Sequence, residues 1–260
     1  VAARRRGSAA AEGGRIKALH QWALAESRRG ETDKALALLE LVLEIDHGNG
    51  YVLQTMALLE SKNGNSEAAR KHFKEGAQHN PDDTRILQAW GTMEARLGDL
   101  PRARELFHAG LAINEQNCFI LQAWARAEGR AGNVPEAREI FERAHEVDPY
   151  SVVVLQAWGC LERDAGNDAR AKELFQRGLD VQPDNVYCLQ AMARQEKREG
   201  HFDRARKLLS MALEVDAENA PTLQEWAHLE QQHGDPHLAK DLFRRAKMAQ
   251  RRKRNNSGRG

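Results

Sequence analysis

Apolar and small residues return along this chain with a period of 34. Trp22, Met56, Trp90, Trp124, Trp158, Met192 and Trp226 follow one another at that interval with no insertion. Three positions before each stands a leucine: Leu19, Leu53, Leu87, Leu121, Leu155, Leu189 and Leu223. One position after each stands Ala or Gly: Ala23, Ala57, Gly91, Ala125, Gly159, Ala193 and Ala227. Offsets of three and four place residues on one helical face, so these columns predict the packing side of a first helix. The small residue admits a neighbouring helix at close range. A second series, Ala35, Ala69, Ala103, Ala137, Ala171, Ala205 and Ala239, stands four residues before Leu39, Phe73, Phe107, Phe141, Phe175, Leu209 and Phe243. It predicts a second helix with its own apolar stripe.

The signals between the stripes predict tight turns. Gly30, Gly64, Gly98, Gly132, Gly166, Gly200 and Gly234 each fall eight residues after the tryptophan column, where a left-handed residue ends a helix. Asn65, Asp99, Asn133, Asn167 and Asp235 follow them and suit a helix N-cap, and Pro101 and Pro135 fall in the tolerant first turn. Pro81, Pro149 and Pro183 end the second helix, and Asn49, Asp83, Asn117, Ser151, Asn185 and Asn219 are expected to cap the next first helix. Each helix pair carries an apolar face that it cannot bury alone. Seven pairs must therefore stack into an all-α, right-handed α-solenoid over residues 16–250. Residues 1–15 are expected to form a flexible basic segment and 251–260 a disordered basic tail.

Charge sharpens this division. The whole chain of 260 residues carries a net +1, but residues 1–15 hold +3 and the last ten hold +5, which leaves −7 on the body. Affinity for a polyanion must come from a local stripe or from the ends. Cys118, Cys160 and Cys188 are too few and too irregularly spaced for a disulfide framework and fit a reducing compartment. His228, His233 and His237 are the densest histidine group, read as solvated helix-end residues and not as a zinc site, so no metal is expected. No run of about 18 apolar residues offers a membrane span. The opening VAARRRGSAAA resembles the end of an organelle transit peptide and equally suits a plain linker, and the chain reads as a fragment of a longer protein.

The column four residues after the tryptophans is uniformly acidic: Glu26, Glu60, Glu94, Glu128, Glu162, Glu196 and Glu230. Helix B carries Arg70, Arg104, Arg138, Lys172, Arg206 and Lys240, each next to the alanine column. Both columns lie at similar distances from the glycine turn, so an ion pair within each hairpin is expected. The small, Gly, Ala, Phe and Pro positions together resemble the tetratricopeptide family. The glutamates, which replace its usual aromatic, resemble the half-a-tetratricopeptide (HAT) variant; that variant's second aromatic is leucine here. The string LQAW at 87–90, 121–124 and 155–158 is similar to chloroplast HAT-repeat factors that bind and protect photosystem II messenger RNAs. The resemblance implies a chloroplast location, single-stranded RNA as partner and further proteins of an RNA-processing complex.

By the same resemblance, the first helix lines a concave groove. Gln54, Gln88, Gln122, Gln156, Gln190 and Gln224, with His20 in the first copy, sit one residue past the leucine column and off the packing face. An amide donates and accepts, which suits base edges, and the bland alternative is a ladder of amides bonded to one another or to water. Arg28, Lys62, Arg96, Arg130, Arg163, Lys197 and Arg198 form a basic stripe interrupted by Asp164 and are read as phosphate contacts. Lys17, Arg85, Arg126 and Arg194 add charge to that face. Tyr51, Phe119 and Tyr187 offer rings for stacking on bases or for packing between copies.

RNA binding in the groove is the leading reading. A scaffold that grips a peptide or partner helix is the alternative, which the acidic body favours. No phosphate-binding loop, zinc-protease helix or nucleophile elbow occurs, and gapless copies leave no room for a catalytic insertion. No catalytic residue and no cofactor is expected. An uncapped last helix, ending KMAQRRKR, leaves oligomerisation open.

Overall fold

The computed structural model describes residues 2–257, with side chains described over 12–252. Every element among them is an α-helix. The chain divides into two compact units, Val1–Glu115 and Gln116–Lys253. The first holds α1 (Ala2–Arg29), α2 (Thr32–Ile45), α3 (Gly50–Lys62), α4 (Ser66–His79), α5 (Thr84–Leu97) and α6 (Leu100–Ile113). The second holds α7 (Cys118–Arg130), α8 (Val134–Val147), α9 (Val152–Asp164) and α10 (Asp168–Val181). It continues through α11 (Val186–Arg198), α12 (Phe202–Val215) and α13 (Ala220–His233) into α14 (Pro236–Ser257). Each odd helix packs on the even helix that follows it, as the 34-residue pattern requires, and within each unit an even helix packs on the next odd one. The fold is a helical-repeat solenoid.

Helix extends into both end segments. Helix α1 takes in residues 2–15 and α14 takes in 251–257. Neither stretch contains proline, and both are rich in Ala, Arg or Lys, which favour helix. Residues 1 and 258–260 lie outside the described residues.

Packing explains the columns. Phe73, Phe107, Phe141 and Phe175 are fully buried, each worth about 1.5–3 kcal/mol by area. A Cβ on Gly91 would come within 2.8 Å of Phe107, and one on Gly159 within 2.5 Å of Phe175. The small residue is therefore demanded by the phenylalanine of its own hairpin. The same phenylalanines face the next copy: Phe73 stacks on Trp90 and Phe141 on Trp158, with centroids 6.1 and 6.2 Å apart. Trp22, on the first helix, is 57% exposed, whereas Trp158, against which Phe141 of the preceding copy stacks, is 3% exposed.

Six of the seven turn glycines have φ between 80° and 89°. In those turns the residue after glycine donates its N–H to the carbonyl of the glutamate column, as Asn167 does to Glu162 at 2.8 Å. Gly234 is the exception. Its backbone is extended (φ −157°), and Asp235 N–H donates to the Glu230 carboxylate instead of its carbonyl. The caps also divide by chemistry. Asn65, Asn133 and Asn167 do not cap their helices; each turns its amide to donate to the glutamate five residues earlier, at 2.7–2.8 Å. Asp99 has no such donor and accepts from Arg102 N–H as an ordinary N-cap. At the other turn Asn49, Asp83, Asn117, Asn185 and Asn219 cap as expected, and Ser151 makes no side-chain cap bond.

The acidic and basic columns do meet, but not within a hairpin. Arg70 binds Glu94 (2.7 Å), Arg138 binds Glu162 (2.8 Å), Lys172 binds Glu196 (2.7 Å) and Arg206 binds Glu230 (2.7 Å). Each cation sits on the second helix of one copy and each carboxylate on the first helix of the next. The even helix presents its cation outward from its own hairpin and toward the following copy. Trp90, Trp158 and Trp226 donate their indole N–H to the same carboxylates at 2.8, 3.1 and 2.9 Å. The Arg138 guanidinium, with the Asn167 amide and the indole, holds Glu162 down to about 2 against the cost of burial. Burial pushes Glu94 the other way, but Arg70 and Trp90 outweigh it and keep its carboxyl below the usual range.

Candidate nucleic-acid interface

The odd helices pack directly on one another within each unit: α3 on α5, α7 on α9 and α9 on α11. Within each unit they form a layer, and the glutamine column lies along it at the joints. Gln54 donates to the Arg85 carbonyl of the next odd helix at 3.4 Å, and His20 lies 3.4 Å from Thr55. Gln190 is buried and donates to Thr222 (2.6 Å) and Asn219 (3.1 Å) on the next copy. Gln156 reaches only Cys160, at 3.4 Å in its own helix. Gln122 and Gln224 are half-buried and make no side-chain hydrogen bond among the described residues, and Gln88 is half-buried as well. The column therefore splits. Gln190 is committed to the joint, while Gln122 and Gln224 keep both functions of the amide available.

The basic stripe occupies the last turn of the odd helices. A cation there also complements the helix dipole by about 0.3–1 kcal/mol, which explains part of its recurrence. In the first unit Arg28, Lys62 and Arg96 are exposed and have no acidic partner among the described residues. The second unit is different. Arg163 is half-buried and tied to Asp164 at 2.8 Å, Arg198 lies 3.4 Å from Asp168, and Lys197 is half-buried. Arg130 is exposed.

The additional cations divide in the same manner. Arg85 folds back on its own helix cap, where its guanidinium forks onto Asp83 and holds that carboxyl below its ordinary value. Arg194 is bound to Glu225 of the next odd helix at 2.8 Å. Lys17 and Arg126 are exposed. Tyr51, Phe119 and Tyr187 are 54%, 70% and 71% exposed. Tyr51 tilts against His20 with ring centroids 4.6 Å apart.

The three carboxy-terminal histidines turn to different elements. His233 stacks on Phe202 at 4.0 Å, His228 meets Phe243 edge-on, and the His237 backbone N–H donates to Asp235. A grouping the sequence does not advertise is Glu196, Glu199 and His201, whose ligand-capable atoms lie within 4.8 Å of one another. The Lys172 ammonium already sits 2.7 Å from Glu196 and 2.6 Å from Glu199, supplying the charge a metal ion would bring. The three cysteines are free thiols, and burial pushes Cys188 up to about 11. No helix among the described residues is long and apolar enough to cross a membrane.

A tetratricopeptide repeat family model matches residues 28–90. Solved structures extend the likeness over most of the chain. Yeast Tom70 is similar over 94% of this chain and 54% of its own, with 16% identity and a TM-score of 0.77. A tetratricopeptide repeat protein from Parabacteroides merdae is similar over 94% of this chain and 98% of its own, at 15% identity and a TM-score of 0.63. The human IFIT1 dimer with m7Gppp-AAAA is similar over 86% of this chain and 58% of its own, at 16% identity and a TM-score of 0.65. The fold is tetratricopeptide-like. No curated protein matches the chain by sequence. Tetratricopeptide-like arrays present surfaces for binding, and none of these likenesses indicates a catalytic family.

Proposed function

We propose that the odd-helix layer binds single-stranded RNA, with the basic stripe on phosphates and the open amides and rings on bases. The observation that carries this reading is the row Arg28, Lys62 and Arg96, exposed and without acidic partners among the described residues, with the ring of Tyr51 exposed as well. A row of one sign in a chain whose body is acidic suits a polyanion, and an unstacked base has a π-face for each ring. Gln122 and Gln224 are the amides with donors and acceptors to spare. The similar IFIT1 structure holds m7Gppp-AAAA, a precedent for RNA on this fold. In this reading the protein shields a transcript, and a chloroplast setting alongside other RNA-processing proteins is proposed with it on the HAT-like residues alone.

Fluorescence anisotropy with a pool of single-stranded RNAs tests it. Binding at about 50 mM salt should fall steeply by about 200 mM. Replacing Arg28, Lys62 and Arg96 by alanine should weaken all sequences alike and flatten the salt slope by about 2. Replacing Gln122 and Gln224 should change sequence preference and leave the slope in place. Absence of binding at the lower salt rejects the reading.

A protein-scaffold reading is favoured by a separate observation. Tyr150 and Val153 are 74% and 54% exposed at the turn between α8 and α9, an apolar spot that RNA does not require. A peptide or partner helix docked there is the second reading, and capture of RNA by the stripe variants at full strength would promote it.

A further inference from the structure

A second feature of the first unit lies apart from the basic stripe. Helices α4, α5 and α6 border an open cavity of about 620 Å3. Glu67, Arg70, Lys71 and Lys74 of α4, Trp90 of α5 and Arg102 of α6 line it. Arg102 lies over the indole with its guanidinium carbon 5.2 Å from the ring centroid and pairs with Glu105 at 2.5 Å, and Arg70 is held by Glu94 and also reaches Glu67 at 3.3 Å. Lys71 and Lys74 are exposed and form no ion pair among the described residues.

The repeat supplies its own control. The corresponding place in the second unit, between α8 and α10, keeps the same frame: Arg138 bound to Glu162, and Arg170 over Trp158 at 5.0 Å. There the positions of Lys71 and Lys74 are Glu139 and Glu142. The frame therefore does not require lysine at either position. Four cations converge on one cavity in the first unit, and two of them bear no structural duty. The volume lies in the range of small-ligand sites, about 300–1,000 Å3, well above what one monovalent anion fills. Lysines on flexible stems and two anchored guanidiniums suit several phosphate oxygens at once.

We propose that this cavity is a binding site for a polyphosphate group, the di- or triphosphate of a small ligand. The site stands independently of the RNA-binding face.

Isothermal titration of the whole chain with inorganic triphosphate, and in parallel with ATP, tests it. Triphosphate should bind with one-to-one stoichiometry and weaken strongly between about 50 and 200 mM salt. The double variant Lys71→Glu/Lys74→Glu should lose at least about tenfold in affinity, since two attractive charges become repulsive. Glu139→Lys/Glu142→Lys should install a second site and raise the stoichiometry to two. Both pairs are exposed surface positions, and an unchanged helical circular dichroism spectrum and melting temperature show that the variants fold. The Arg28, Lys62 and Arg96 alanine variant should bind triphosphate as the parent does, which separates this site from the RNA face. The proposal is overturned by absence of triphosphate binding, by equal affinity in the Lys71/Lys74 variant, by a stoichiometry unmoved in the Glu139/Glu142 variant, or by binding of ATP alone.

Discussion

Glu60 and Glu162 occupy the same column and lead different lives. Glu162 is buried beneath Trp158 and is grasped by Arg138 from the preceding copy and by Asn167 from the turn. Glu60 is half-buried and, among the described residues, its carboxylate accepts from the Asn65 amide alone. Two changes account for this. Met56 replaces the indole donor, and Leu36 stands where the preceding copy would place its cation. Three donor residues converge on the buried Glu162, and Glu94 and Glu26 are buried with two each, one of them a guanidinium, because a buried charge must be paired and bonded to persist. What recurs is thus a set of partners, and a glutamate without them stays partly in water.

Removing the acceptor should cost most. Glu162→Ala strands the Arg138 guanidinium, an indole N–H and an amide, and should lower stability by about 3 kcal/mol in urea unfolding. Trp158→Met, which copies the natural Met56, should cost about 1–2 kcal/mol through the lost indole bond and the lost stacking on Phe141. The acid dependence follows from the depressed carboxyl. Glu162 stabilises the fold fully above its ordinary value of 4.5, and that contribution disappears as pH falls toward about 2. The stability gap between parent and Glu162→Gln should therefore be wide at neutral pH and should close through that window. Glu60→Gln should change stability by no more than about 0.5 kcal/mol at neutral pH. An equal loss for the Glu60 and Glu162 variants would refute this account of burial.

The helix pairs, their turns and most caps were legible in the sequence because each is local: a period, a glycine, an Asn at a fixed offset. The ion pair was legible in its columns and misplaced in its partner. Distance from the glycine turn is symmetric within a hairpin, and a linear pattern does not say which copy a guanidinium on the outer edge of α8 will meet. The turn asparagines were read as caps since the same residue type serves both ends, and only the carboxylate five residues earlier diverts them. The glutamine column looked uniform, yet Gln190 has Thr222 across the joint, and at Gln122 the corresponding residue is Val154. The neutralisation of Arg163 and Arg198 by Asp164 and Asp168 is half visible, since the first pair is adjacent in the chain and the second joins the start of α10 to the end of α11 in the next copy. The cationic cavity was not seen, because its residues come from three helices and no single stretch is strongly basic.

The clasp joining each second helix to the next first helix has a consequence for how such a chain changes length. Every bond in it runs from one residue to another 24 positions on, and every copy is 34 residues long without insertion. Excising residues 152–185 would bring Arg138 opposite Glu196 in place of Glu162, the same donor type facing the same acceptor. Whole copies are interchangeable at their seams in the way that words on a common grid are, so a duplication or loss in the gene need not be accompanied by any compensating substitution at the junction.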